Sequence, residues 1–178
     1  MIILRDLPSD EELRALAIRY PDLDPEGAAA LLAFMRAACE IFHHSDVHFA
    51  RYGTSCGRFT VLALLNRRPD LSLNPSRIAD ACGVTRATIT GLLDGLQQDG
   101  LIERTRGAGD RRTMQVRLTA AGRRFLDDML PDHFRRLATL MHGVGTADRR
   151  VLRRIAGIMA GNATTLSAEP AAPPTRKR

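Results

Sequence analysis

The stretch GAGDRRTMQVRLTAAG, residues 107–122, constrains this chain more than any other. Two glycines, an aspartate and two arginines lead into Met114, Val116 and Leu118 alternating with Gln115 and Arg117. That period of two, with one apolar face, is the signature of a half-buried strand. The preceding LIERTR supplies a partner strand over 101–106, so 107–113 is the loop of a hairpin running to Thr119. Charge gathers there. Residues 101–124 hold seven arginines against Glu103 and Asp110, within a chain whose net charge is +6. Such a basic projection is a candidate phosphate-binding surface.

Upstream of the hairpin, NPSRIADACGVTRATITGLLDGLQQDG reads as two helices about a tight turn. Asn74 caps the first, Pro75–Cys82, and Gly83 makes the turn. Thr85 caps the second, which runs to about Asp99 and ends at Gly100. Helix, turn, helix and basic hairpin is the order of a winged helix-turn-helix. An α-helix fits the major groove of B-DNA and presents its N-terminal residues to base edges, here Thr85, Arg86, Thr88 and Thr90. Val84, Ile89, Leu92, Leu93 and Leu96 would hold the opposite face. Asn74 and Ser76, at the start of the first helix, join the candidate DNA-contacting set. The hairpin tip would lie beside the minor groove, whose narrow segments attract arginine, with Gly107 and Gly109 allowing close approach and Arg111 and Arg112 supplying charge.

At these residues the chain resembles the MarR family of bacterial transcription regulators. GLIERTRGAGDRRTMQVRLTAAG is similar to that family's wing, with its G-L-[IV]-x-R strand, D-x-R tip and L-T-x-x-G helix opening. The resemblance covers about residues 30–163. It implies that Arg112 is the minor-groove arginine and Asp110 its buttress. Gly91 and Gly95 depart from the pattern, standing where the family commonly has larger, often basic, residues. Each costs a helix interior about 0.5–1 kcal/mol relative to alanine.

The remaining helices are read from caps and apolar spacing. Ser9 and Glu12 form a capping-box pair for a helix carrying Leu13, Leu16, Ala17 and Tyr20. Asp24-Pro25 starts a long helix to about Tyr52, whose Leu31, Leu32, Phe34, Met35, Ala38, Ile41, Phe42 and Phe49 are too many for one stripe. A short apolar helix follows over 57–67. After Thr119 a helix carries Phe125, Leu126, Met129 and Leu130, with Pro131 expected to kink or break it, and resumes through Phe134, Leu137 and Met141. A last helix, about Thr146–Thr164, is expected to bury Val151, Leu152, Ile155, Ile158 and Met159. The fold class is therefore mainly α with a small β-hairpin wing, a winged helix-turn-helix plus a helical dimerisation region. Residues 1–56 form N-terminal dimerisation helices, 57–122 the DNA-binding domain, 123–165 the C-terminal dimerisation helices and 166–178 a disordered tail.

The resemblance implies a homodimer on double-stranded DNA, with a pseudopalindromic operator whose half-sites lie about 34 Å apart. It further implies a small aromatic, phenolic or carboxylate effector that releases the DNA. The helix before 25 is similar to the longer urate- and phenol-responsive branch, but that branch's tryptophan is absent, so urate is not expected. In CEIFHHSDVHFARY, the residues His43, His44, His48, Arg51 and Tyr52, with Phe59 beyond, are the candidate effector-binding set. Two other readings compete. The histidines also suit the polar edge of a dimer interface, and Glu40, His44 and His48 at i, i+4 and i+8 suit a metal. A redox role would need a thiol of lowered pKa, and neither Cys39 nor Cys82 has activating neighbours in sequence.

No cofactor is expected. There is no GxSxG, Walker loop, dinucleotide fingerprint or HExxH, so an enzyme is not expected either. A winged-helix module that binds protein rather than DNA is the remaining rival. Three scattered cysteines without CxxC, no run of about 18 apolar residues, and an opening MIILRDLPSDEEL without signal-peptide pattern point to the cytoplasm and no membrane.

Overall fold

The computed structural model describes residues 6–67, 72–106 and 114–168. Their element order is α1 (Asp10–Arg19), α2 (Pro25–Ala50), α3 (Cys56–Asn66), α4 (Pro75–Cys82), α5 (Arg86–Gln98), β1 (Ile102–Arg106), β2 (Met114–Leu118), α6 (Ala120–Leu140) and α7 (Thr146–Asn162). A 3₁₀ turn, Ala163–Ser167, follows, so Leu166 and Ser167 of the expected tail are in a turn, and 169–178 lie outside the described residues. The chain divides between Leu130 and Pro131 into two compact units.

The first unit holds the core. Phe49, Val61, Leu62, Leu65, Ile78, Ile89, Leu93, Leu96, Ile102, Val116, Leu118, Leu126 and Met129 are buried together. They come from the end of α2, from α3 to β2, and from the start of α6. Only Leu13 is buried in α1, while Leu16 and Tyr20 are exposed, so the expected apolar face is covered at one residue. The Ser9–Glu12 capping box forms as its spacing requires: the Ser9 N–H donates to Glu12 Oε2 at 2.7 Å, and the Glu12 N–H donates to Ser9 Oγ at 3.2 Å.

Both helices of the turn motif end in left-handed glycines. Gly83 has φ +65°, its N–H donates to the Asp80 carbonyl at 3.2 Å, and the next N–H, of Val84, reaches Ala79 at 3.1 Å. Gly100 repeats the arrangement at φ +71°, with its N–H donating to Gln97 at 2.9 Å and that of Leu101 to Leu96 at 3.0 Å. A glycine accepts this conformation without Cβ strain, and the bonds satisfy the last carbonyls of each helix.

β1 and β2 pair antiparallel in the register Ile102↔Leu118, Arg104↔Val116 and Arg106↔Met114. Leu73 adds a bridge that period-2 reading did not reveal: it exchanges backbone hydrogen bonds with Val116 at 3.0 and 2.8 Å. Val116 and Leu118 are buried as expected, but Met114 is exposed, because it pairs with Arg106 at the open end, away from the helices. The hairpin is joined to α6 by Thr119, whose hydroxyl donates to the Gly100 carbonyl at 2.7 Å and accepts from the Gly122 N–H at 3.0 Å.

Three further expectations change. Val84 is exposed rather than packed, since it sits in the tight turn before α5 begins. α6 runs through Pro131 to Leu140 without a break. Proline removes one helical hydrogen bond there, and the division between the units falls at that point. In the second unit, no residue of α7 is buried; Val151, Leu152, Ile155 and Ile158 are exposed, and Ile158 keeps 52% of its surface. That unit is too small to cover an apolar stripe of this length. The α6–α7 connection is closed by Gly143 at φ +82° and by Arg149, which donates to the carbonyls of Val144 and Met141 at 2.9 and 3.2 Å.

Candidate nucleic-acid interface

α5 divides cleanly into two faces. Ile89, Leu93 and Leu96 are buried, while Arg86, Ala87, Thr88, Thr90, Gly91 and Asp94 are exposed. The cap is Thr85, whose Oγ1 accepts from the Thr88 N–H at 3.2 Å and lies 2.9 Å from the Thr88 hydroxyl. Thr90 donates its hydroxyl proton to the Arg86 carbonyl at 2.9 Å, so its outward oxygen offers lone pairs only. Arg86 opens the helix with an exposed guanidinium. The four expected reading residues therefore share one exposed end: one fork of donors among short hydroxyls.

Asn74 and Ser76 are half-buried at the start of α4. Asn74 is first a cap: its Oδ1 accepts from the Arg77 N–H at 2.8 Å, which leaves the amide NH₂ as its outward chemistry. Asp110, Arg111 and Arg112, with Gly107 and Gly109, lie outside the described residues.

The charge of the hairpin is not evenly available. Arg104 pairs with Asp94 of α5 at 2.6 Å, and Arg117 pairs across the strands with Glu103 at 2.9 Å. Both arginines are thus tied to carboxylates, Arg104 half-buried and Arg117 exposed, and Arg106, the last described residue before the loop, is exposed too. Arg58 of α3 pairs with Asp99 and donates to the Gly95 carbonyl at 3.2 Å. The ties from Asp94 and Asp99 span 10 and 41 residues, beyond any helical or strand spacing, so the sequence carries no signal for them.

The histidine stretch separates. His48 is buried beside Phe49 and Tyr52, with ring centroids 5.2 and 5.5 Å away, and Phe49 stacks on Phe59 at 4.5 Å. His43, His44 and Arg51 are exposed and take no part in that cluster. His44 instead lies 3.8 Å from Glu40. His48 continues the Glu40–His44 row one turn on, but it is buried where those two are exposed. Among the described residues no group of three or more His, Cys, Asp or Glu side chains is placed to hold a metal.

The thiols of Cys56 and Cys82 are not activated. Burial pushes Cys56 up, the Asp46 carboxylate adds to this, and a hydrogen bond with Thr60 opposes it. Burial likewise raises Cys82, against the charge of Arg67. A redox thiol needs the opposite shift.

Residues 53–113 match the model of the MarR family. The transcriptional repressor YetL of Bacillus subtilis is 31% identical over 154 residues, which cover 86% of this chain and 92% of that protein. The chain belongs to the MarR family. Among solved structures, the Mycobacterium tuberculosis regulator MOSR in complex with DNA is 31% identical with a TM-score of 0.60, covering 76% of this chain and 97% of that one. The repressor CouR bound to a 23-mer DNA duplex is 29% identical with a TM-score of 0.65, covering 72% and 90%. The fold is thus the mainly α winged helix-turn-helix expected, and the protein is a DNA-binding transcriptional regulator, not an enzyme. α4 and α5 are the helix-turn-helix pair of that fold and β1–β2 its hairpin wing. No described helix is long and apolar enough to cross a membrane.

Proposed function

We propose that the protein is a dimeric, ligand-responsive repressor that binds a pseudopalindromic operator and is released by a small aromatic, phenolic or carboxylate effector. The observation that carries the DNA reading is the exposed start of α5, where Thr85, Arg86, Thr88 and Thr90 stand together opposite a fully buried apolar face. Arg86 and the hydroxyls read base edges in the major groove. Asn74 and Ser76 contact the DNA beside them, and Arg112, buttressed by Asp110, enters the minor groove with Arg111 adding charge. That MOSR and CouR were solved on DNA supports the same use of this fold here.

The dimer reading rests on unpartnered apolar surface. Leu31, Phe34, Met35, Ile41, Phe42 and Val47 of α2 are exposed, as are Phe134, Leu137 and Leu140 of α6 and the stripe of α7. Soluble monomers rarely leave apolar surface of this extent uncovered. A second copy covers it through the helices of 1–56 and 123–165, leaving 57–122 to meet DNA. Such a protein works in the cytoplasm.

For the effector, the reading we favour is His48, Tyr52 and Phe59 with Phe49, and it is supported by a buried imidazole packed beside these rings.

Footprinting on the DNA beside the protein's own gene tests this reading. Protection of two half-sites about one helical turn apart, lost on adding one aromatic acid or phenol from a panel, is the expected result. Protection of a single site, or none, contradicts it.

A further inference from the structure

Three consecutive residues in the first turn of α3 face three different neighbours. At Gly57 an added Cβ would stand 3.4 Å from Leu92 of α5, so the two helices approach closely there. Arg58 reaches the far end of α5, where it pairs with Asp99 and donates to the Gly95 carbonyl. Phe59 stacks on Phe49 of α2 with the rings 24° from parallel. The turn is itself fixed by Ser55, whose hydroxyl accepts from the Arg58 N–H at 3.3 Å.

The recognition helix needs such a hold. Gly91 and Gly95 weaken its interior, and no atom lies within 4 Å of a Cβ added at Gly91. At Gly95 the Arg58 guanidinium lies 3.9 Å from where a Cβ would stand, directly over bare backbone. A cation at a helix C-terminus also complements the helix dipole. The Arg58 side chain is only 23% exposed, too enclosed to serve chiefly as a surface phosphate contact.

We infer that Arg58 is a positioning residue for DNA recognition: through Asp99 and Gly95 it fixes the C-terminal half of α5, and through its neighbour Phe59 the same turn ties α5 to α2. This rests on the DNA reading above and deepens it. It makes the first turn of α3 the joint between the aromatic cluster of α2 and the helix that reads the operator.

The test uses the full-length protein, a labelled duplex of the DNA beside its gene and a random duplex of equal length. Arg58→Ala and Asp99→Ala should each weaken operator binding about tenfold, the double variant should be no weaker than either, and Arg58→Lys should recover part of the loss. Coupled residues behave in this non-additive way. The slope of log affinity against log salt should stay that of the wild type, since each lost phosphate contact would lower it by about 0.9. In the free protein, amide exchange over 96–101 should quicken in Arg58→Ala while that of β2 does not. If Arg58→Ala fails to fold, Asp99→Asn carries the same comparison. The inference is overturned if Asp99→Ala binds as well as wild type, if Arg58→Ala lowers the salt slope by about one, or if exchange over 96–101 is unchanged. A wild-type protein that does not distinguish operator from random duplex would instead overturn the DNA reading, and the exchange result would still decide the clamp.

Discussion

A Cβ added to Gly122 would stand 2.1 Å from the carbonyl oxygen of Leu101. That single approach explains why the turn from wing to α6 takes the form L-T-x-x-G. Thr119 must bond Gly100 on one side and the Gly122 N–H on the other, and only a residue without a side chain lets α6 come in so close. Gly122→Ala should therefore destabilise the fold by about 1–3 kcal/mol, because backbone has to move. Denaturant unfolding measures it, and a midpoint equal to wild type would contradict the account.

Thr85 caps α5 and belongs to the proposed reading face. Thr85→Ala removes the acceptor for the Thr88 N–H and should cost about 1 kcal/mol of stability, while Thr85→Ser should cost far less. Chemical denaturation of the three proteins side by side decides it; equal midpoints for alanine and threonine would mean the cap is not used.

On the opposite side of α5, Leu93 is buried in the core of the first unit. Leu93→Ala should lose about 2–5 kcal/mol. A smaller loss would show that the helices collapse around the gap.

These caps and apolar faces were legible in the sequence because each is settled within a few residues: Ser9 with Glu12, Asn74 with Arg77, Gly83 and Gly100 after their helices. What was not legible depends on distance along the chain or on what covers a surface. No local pattern places Leu73 beside Val116 or Arg58 beside Asp99. The stripe of α7 reads as buried because periodicity reports that a face is apolar, not which molecule covers it. In the histidine stretch, residue type grouped His43, His44 and Arg51 with His48, but type does not show that His48 alone of the four is buried beside the rings.

The exposed stripe gives a direct prediction. Ile155→Glu, at an exposed position with no buried neighbours in α7, should leave the fold of the single chain intact and shift the protein from dimer to monomer in sedimentation. An unchanged dimer would place the interface elsewhere.

Cys56 and Cys82 give the pH dependence. Both thiols are raised above the ordinary value of 9.0, so between the unfolded and folded pKa the native state holds protons that the unfolded chain has released. Their contribution is present below the unfolded value and is lost as pH rises through the window above it. Iodoacetamide should react with both more slowly than with free cysteine near neutral pH, and a faster reaction would return a redox role to consideration.

The central claim is that α5 and the wing read DNA, and one titration tests it most directly. Affinity for the duplex beside the gene, measured from about 50 to 200 mM salt for wild type and Arg86→Ala, should fall steeply for both, by several orders of ten if many phosphates are neutralised. Arg86→Ala should also lose preference for that duplex over a random one, because a bidentate arginine is worth about 1–3 kcal/mol of base discrimination. A shallow salt slope, with equal affinity for both duplexes in wild type and variant alike, would contradict the claim.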